Sequence, residues 1–393
     1  MLYLLAPRRP VLIDANAVPR YWAAVWTLMH GGGLADETLK RKLRHIDALY
    51  EHADLIGLQL DDVLGGLEFG VLENVLESFF IALRNAPEPS SQVLNRWNTA
   101  FHFARDTCLR LSKNPQARAS LEQVHLQVSR LDKLYLGLRP KKKRGTAQVR
   151  AVPRQVIAEL LDLIAPGSSS NPFSGDASQW RVFCLVTLLL YQGLRRGEAL
   201  VLRADSTRAE IDTRSGQLRW MLKIPTNVPE DDPRAEAPSL KTVDSVRVLP
   251  MSGTTANVVQ TYLENYRGKV NHPYLLSSAR RQPLSLEGVS KIFQKITESL
   301  SEESRNVLLQ QTGAQYLTAH ALRHTCAVLR MKQLIATGQS SEQAMAQLRS
   351  FFGWARSSVM PLHYAKAAFD ERLNESWNDQ LDSRLELLRA LPY

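Results

Sequence analysis

The sequence predicts a mainly α-helical chain with one small β-sheet in its second half, an α+β arrangement of two domains. Three observations predict it. Apolar residues recur at helical spacing through most of the chain. Only two short runs, "QLRWMLKIP" and "SVRVLPM", are rich in strand formers. A basic stretch with proline and glycine but no periodicity, "LRPKKKRGTAQVRAVP", separates the halves. With 393 residues, there is room for two domains and a sizeable core.

Each element follows from its own pattern. "DETLKRKLRHIDALY" puts Leu39, Leu43, Ile46, Leu49 and Tyr50 on one helical face, and Lys40, Arg41, Lys42 and Arg44 largely elsewhere. The segment Val63–Leu83 supplies a further helix. "SSQVLNRWNTAFHFARDTCLRLSK" starts with a capping Ser90 or Ser91, and Trp97, Phe101, Ala104, Cys108 and Leu111 repeat at helical spacing. That stripe reads as core rather than as a base-stacking platform. The first domain is therefore placed at residues 1–138 and the linker at 139–152, with a basic run at Lys141, Lys142, Lys143 and Arg144. The second domain spans 153–376. It opens with the amphipathic "RQVIAELLDLI", a loop, and an apolar helix ending near Gly193. The two β-rich runs follow, with a proline-rich acidic loop between them whose segment 230–236 reads as solvated. From Pro283 onward the pattern is helical again. The tail 377–393 is a terminal helix with Leu381, Leu385 and Leu388 in register, and Leu387 and Leu391 beside them. No internal repeat is visible.

Composition narrows the partners. A net charge of +10 and a pI near 9.5 favour an anionic partner, with nucleic acid ahead of a membrane surface. Cys108, Cys184 and Cys326 form no CxxC and no zinc spacing, so they read as reduced, mostly buried thiols of a cytoplasmic protein without a metal. "MLYLLAPRRPVLIDANA" has too short an apolar stretch for a signal peptide. The apolar part of "RVFCLVTLLLYQGLRRGEAL" is too short to span a membrane, and a core helix fits it better.

Four short motifs carry chemistry. "TAHALRHTCA" sets His320, Arg323 and His324 in an apolar helix, where an arginine needs a carboxylate or an anionic ligand for its donors. "GLRRGEAL" places Arg195 just past the apolar helix, with Glu198 near enough to brace an arginine. "SLKTVDSVRVLP" puts Lys241 at the mouth of a hairpin. "FFGWARSSVMPLHYAKA" places Trp354 ahead of Tyr364, with Pro361 between them on a short, adjustable segment. Taken singly, each is weak. His320 alone reads as a satisfied core histidine, Trp354 as core, and Tyr364 as one tyrosine among eleven. Arg196 reads as a surface charge or a backbone-phosphate contact.

Together and in this order, from about Pro153 to Ala365, the four boxes resemble the tyrosine recombinase (phage-type integrase) superfamily. The N-terminal half matches only in being helical, basic and followed by a linker. The resemblance implies a two-domain clamp around duplex DNA, with an N-terminal core-binding domain and a C-terminal catalytic domain. It implies that Tyr364 attacks a phosphodiester and holds the strand as a 3′-phosphotyrosine, with no cofactor. Arg195 and Arg323 would clamp the non-bridging oxygens. His320 would hydrogen-bond the phosphate or help to take the tyrosine proton. Lys241 would protonate the departing 5′ oxygen, and the indole N–H of Trp354 would reach a non-bridging oxygen. Glu198 would brace an arginine, and His324 would buttress the site. DNA contacts would come from Lys40, Arg41, Arg44, Lys141, Lys142, Lys143, Arg144 and Arg196. The partners implied are double-stranded DNA with specific sites, a tetramer of this chain on that DNA, and accessory recombination proteins; no membrane is involved. Integration, excision or resolution of a mobile element are the roles that fit. Two alternatives stay open, a type IB topoisomerase-like relaxing enzyme and a DNA-binding protein that has lost catalysis. The tail helix either packs on its own domain or passes to a neighbouring subunit.

Overall fold

The computed structural model describes residues 10–34, 36–85, 90–111, 126, 129–130, 151–213, 216–225, 232–234, 238, 246–366 and 368. The chain divides into two compact units, Met1–Gly145 and Thr146–Tyr393.

In the first unit the described elements are helices: α1 (Tyr21–His30), a short 3-10 turn (Gly31–Gly33), α2 (Asp36–Leu55), α3 (Leu60–Gly65), α4 (Phe69–Asn85) and α5 (Ser90–Leu111). Leu39, Leu43, Ile46, Leu49 and Tyr50 of α2 bury against α4 and α5, as the periodicity requires. Trp97, Phe101, Ala104 and Cys108 are core, so the α5 stripe packs inward. The single helix expected over Val63–Leu83 is instead two. Gly65 and Gly66 end the first, and Leu67 takes a left-handed φ of 54° before α4 begins.

The second unit carries α6 (Arg154–Ile164), α7 (Asp176–Tyr191), α8 (Arg196–Val201), β1 (Thr207–Ile211), β2 (Leu218–Ile224), β3 (Arg247–Met251), α9 (Gly253–Thr261) running into a π turn (Tyr262–Tyr266), α10 (Leu286–Ser299), α11 (Glu302–Thr312), α12 (Ala319–Ala336) and α13 (Ser341–Phe352). Residues 360–366 add a last helical stretch. The strands form one antiparallel sheet in the order β1-β2-β3, with Leu222 opposite Leu249. The second half of the apolar helix α7 is buried almost continuously from Val182 to Leu190, as expected of a core helix. Among the described residues no helix is long and apolar enough to cross a membrane. Cys108, Cys184 and Cys326 are free and buried.

The acidic loop departs from expectation at its described centre. Asp232 and Arg234 are buried rather than solvated. Arg234 pairs with Asp232 and donates to the carbonyls of Leu200 (3.0 Å) and Leu284 (3.1 Å), while its guanidinium lies 4.1 Å over the Tyr274 ring. Tyr274 donates to the same Asp232 carboxylate at 2.8 Å. The ion pair closes over two residues, so it can bury as a nearly neutral unit with its donors satisfied.

Candidate active site

The site is built around one buried carboxylate. Glu198, 1 % exposed, lies in the short helix α8. Three arginines from three parts of the chain converge on it. Arg195 donates through Nη1 at 2.5 Å and through its backbone N–H at 2.9 Å. Arg247 of β3 donates through Nη1 at 3.2 Å and Nη2 at 3.0 Å, a two-pronged pair. Arg323 of α12 reaches it through Nη1 at 3.4 Å.

The same arginines satisfy the C-terminus of α13. Three consecutive carbonyls there accept from them. Phe351 takes Nε of Arg247 at 2.7 Å, Phe352 takes Nη2 of Arg323 at 2.7 Å, and Gly353 takes Nη2 of Arg195 at 3.3 Å. A helix C-terminus leaves such carbonyls without intrahelical partners and carries partial negative charge, so guanidinium donors suit it on both counts. Gly353 ends the helix at φ 58°, a conformation suited to glycine, and the chain turns directly into Trp354.

Gly193 makes the close approach feasible. Its φ is 58°, and a Cβ there would meet Cε1 of Phe352 at 2.4 Å. Its carbonyl accepts Nη1 of Arg323 at 2.6 Å. The acceptors that the sequence demanded for Arg323 are thus supplied by the protein: two carbonyls and Glu198.

Electrostatics follow from this packing. Burial pushes the Glu198 carboxyl up. The Arg247 hydrogen bond and the charges of Arg247, Arg323 and Arg195 more than offset it, and the pKa ends below the ordinary glutamate value. Burial pulls the Arg323 guanidinium down to about 9, with Glu198 opposing, so it stays charged at neutral pH. One carboxylate among three guanidiniums leaves surplus positive charge. Arg195, with 20 % of its side chain exposed, is the member of the trio that faces outward most.

Tyr364 sits beside this cluster at 1 % exposure, on the helical stretch 360–366, with Pro361 in the first turn where its missing N–H costs nothing. Its ring stacks on Trp354 (5.2 Å, 7° between planes), and Trp354 stacks in turn on Phe352 (4.7 Å, 14°). Its hydroxyl is hydrogen-bonded to Nδ1 of His324. Burial raises the Tyr364 pKa, and the charges of Arg323 and Arg195 pull it back, so the hydroxyl lies within their field. His320 is exposed at the N-terminal end of α12, its ring 4.1 Å from that of His324.

Of the residues singled out in the sequence, Arg195, Glu198, Arg323, His324, Trp354 and Tyr364 come together, with His320 at their rim. Arg196 is exposed and donates to Ser290 Oγ at 3.0 Å. Lys40, Arg41 and Arg44 lie on α2 in the other unit, where Lys40 pairs with Glu37 at 3.0 Å. Lys241, the basic run Lys141–Arg144 and the tail 377–393 lie outside the described residues. Two members were missed. Arg247 lies inside the hairpin motif "SLKTVDSVRVLP", and its signal is parity: it shares the inward face of β3 with Leu249 and Met251. Arg96 of α5 acts on His45 together with Arg41, Lys42 and Arg44; burial and these charges lower the His45 pKa. Arg41, Lys42 and Arg44 lie on α2 and Arg96 on α5.

The phage integrase family profile matches residues 155–371, more than half of the chain. The chain belongs to the phage integrase family. This family member also resembles solved structures. One is the XerH site-specific recombinase bound to its difH substrate before cleavage (12% identity, 91% of this chain and 88% of that one, TM-score 0.51). Others are the XerA recombinase (16% identity, 92% and 99%, TM-score 0.35) and a lambda integrase dimer on a core site (14% identity, 92% and 96%, TM-score 0.33). The XerH match supports the fold read above: mostly helical, with a small antiparallel sheet in the second unit. No curated protein matches the chain.

Proposed function

We propose that this integrase-family chain is a site-specific DNA recombinase that cleaves and rejoins strands through a covalent 3′-phosphotyrosine, with Tyr364 as nucleophile. One observation carries it: a surplus-positive arginine cluster and a tyrosine hydroxyl within its field, joined through the Arg323–Phe352–Trp354–Tyr364 packing. Charge builds on the non-bridging oxygens as Tyr364 attacks phosphorus, and fixed guanidinium donors stabilise it without reorganising. Arg195 and Arg323 fill that role. The phosphodiester enters from the side of Arg195 and His320, the outward-facing members. Lys241 supplies the proton to the departing 5′ oxygen, and the indole N–H of Trp354 is a further donor. The bond is conserved as an ester, so rejoining needs no nucleotide.

Catalysis belongs to the second domain, 153–376. The first domain, 1–138, contributes DNA contacts from the α2 face through Arg41 and Arg44, with Arg96 beside them; Lys40, the linker cations and Arg196 add others. Cations so arranged suit a phosphate backbone and make binding fall with salt. Four protomers hold two sites, with the tail 377–393 passed between neighbours, in integration, excision or resolution of a mobile element.

Covalent trapping tests this. Fragments of the DNA adjoining the gene are incubated with the protein and denatured, and protein-linked DNA is recovered and sequenced. The expected result is linkage to the 3′ end of one discrete sequence. Recovery of no linked DNA would overturn the proposal.

A further inference from the structure

We propose that His324, rather than His320, takes the proton of Tyr364 as the phenol attacks; this rests on the reading of Tyr364 as nucleophile. The geometry is specific. Nδ1 of His324 is the hydrogen-bond partner of the Tyr364 hydroxyl, and the rings lie 5.5 Å apart. Trp354 fixes the phenol ring by stacking, so ring and hydroxyl are both held. A phenol donates to Nδ1 only if that nitrogen is bare, which is the neutral imidazole with its proton on Nε2.

The groups facing His324 keep it in that form. Tyr364 faces it from the 360–366 stretch, and His320 and Arg323 from its own helix. Burial first, then His320 and Arg323, lower its pKa to about 4. A base this weak does not ionise tyrosine beforehand, and it has no need to. As the Oη–P bond forms, the phenol oxygen becomes an ester oxygen and its proton becomes strongly acidic. Neutral imidazole then suffices as acceptor.

The step balances. Oη–P forms, P–O5′ breaks, the proton passes from Oη to Nδ1, and the 5′ oxygen takes its proton from Lys241. On rejoining, O5′–P forms and Oη–P breaks, the 5′ hydroxyl gives its proton back to Lys241, and His324 returns the proton to Oη. His320, exposed at the rim, remains for the phosphate oxygens.

The test compares wild type, His324→Ala, His324→Asn and Tyr364→Phe on a nicked duplex built on the trapped sequence. Adduct formation is followed in a single turnover. The Asn Oδ1 falls near the position of Nδ1. It accepts the phenol hydrogen bond but takes no proton. Both His324 variants should form adduct on the order of a hundredfold more slowly, with DNA affinity unchanged. Wild-type rates in His324→Asn would overturn the proposal by reducing His324 to a positioning contact. Wild-type rates in His324→Ala would remove it from the step. Adduct from Tyr364→Phe would instead sink the nucleophile assignment beneath it.

Discussion

Arg247 and Glu198 stand 49 positions apart in the chain and meet as a two-pronged ion pair, with both carboxylate oxygens engaged at 3.2 and 3.0 Å. The pair ties the β2–β3 hairpin to the carboxylate that also holds Arg195 and Arg323. Through Nε, Arg247 also ties it to the end of α13. Arg247→Lys keeps the charge but loses the planar fork. A shift of about 1 Å in a positioned group is enough to cost on the order of a hundredfold in rate. Single-turnover cleavage by Arg247→Lys should fall by that order while DNA affinity holds. Cleavage at the wild-type rate would show that Glu198 and the other two arginines suffice.

Glu198 makes the second unit sensitive to acid. Its folded pKa lies below the ordinary value of about 4.3, so its stabilisation is full above that value. It is lost as pH falls through the folded pKa. Glu198→Gln leaves buried guanidiniums without their counter-charge and should cost about 3–5 kcal/mol at neutral pH. Urea unfolding across a pH series should therefore show the two proteins far apart near neutrality and converging in acid. A constant gap would remove Glu198 from this role.

Gly193→Ala places a methyl against the buried Phe352 ring and forces alanine to a φ of 58°. The strain alone should exceed about 1 kcal/mol. The variant should unfold at lower urea, and cleavage should fall with it, because the Gly193 carbonyl holds Arg323. Unchanged stability would mean that α13 can move aside freely.

Arg323→Lys tests whether charge or geometry matters at the centre. Arginine meets two carbonyls and a carboxylate here from one plane. Lysine offers a single ammonium to the same space. Cleavage should drop on the order of a hundredfold or more. Near-normal cleavage would make Arg323 a structural residue.

Much of this was legible in the sequence, for identifiable reasons. Helices α2, α5, α6 and α7 declare themselves because one face is apolar or the whole helix is. The motif residues declare themselves because charged and aromatic types stand in apolar surroundings. Strand β1 does not, since "TRAEI" is an edge strand whose side chains are mostly exposed and include Arg208 and Glu210, so no apolar alternation marks it. The break at Leu67 hides inside an apolar pattern that continues on both sides. The partnership of Arg247 with Glu198, and of His324 with Tyr364 across 40 positions, is set by tertiary packing. Local periodicity carries no record of it. The acidic loop misleads because Asp232 and Arg234 neutralise each other and so can bury.

The central claim is that Tyr364 is the nucleophile. It is tested most directly by digesting the trapped protein–DNA adduct and identifying the modified peptide by mass spectrometry, alongside the Tyr364→Phe protein. A nucleotide remnant is expected on the hydroxyl of Tyr364. No adduct is expected from Tyr364→Phe, whose DNA binding should stay nearly intact, because only one hydroxyl is lost. A remnant on any other residue, or an adduct that survives Tyr364→Phe, would contradict it.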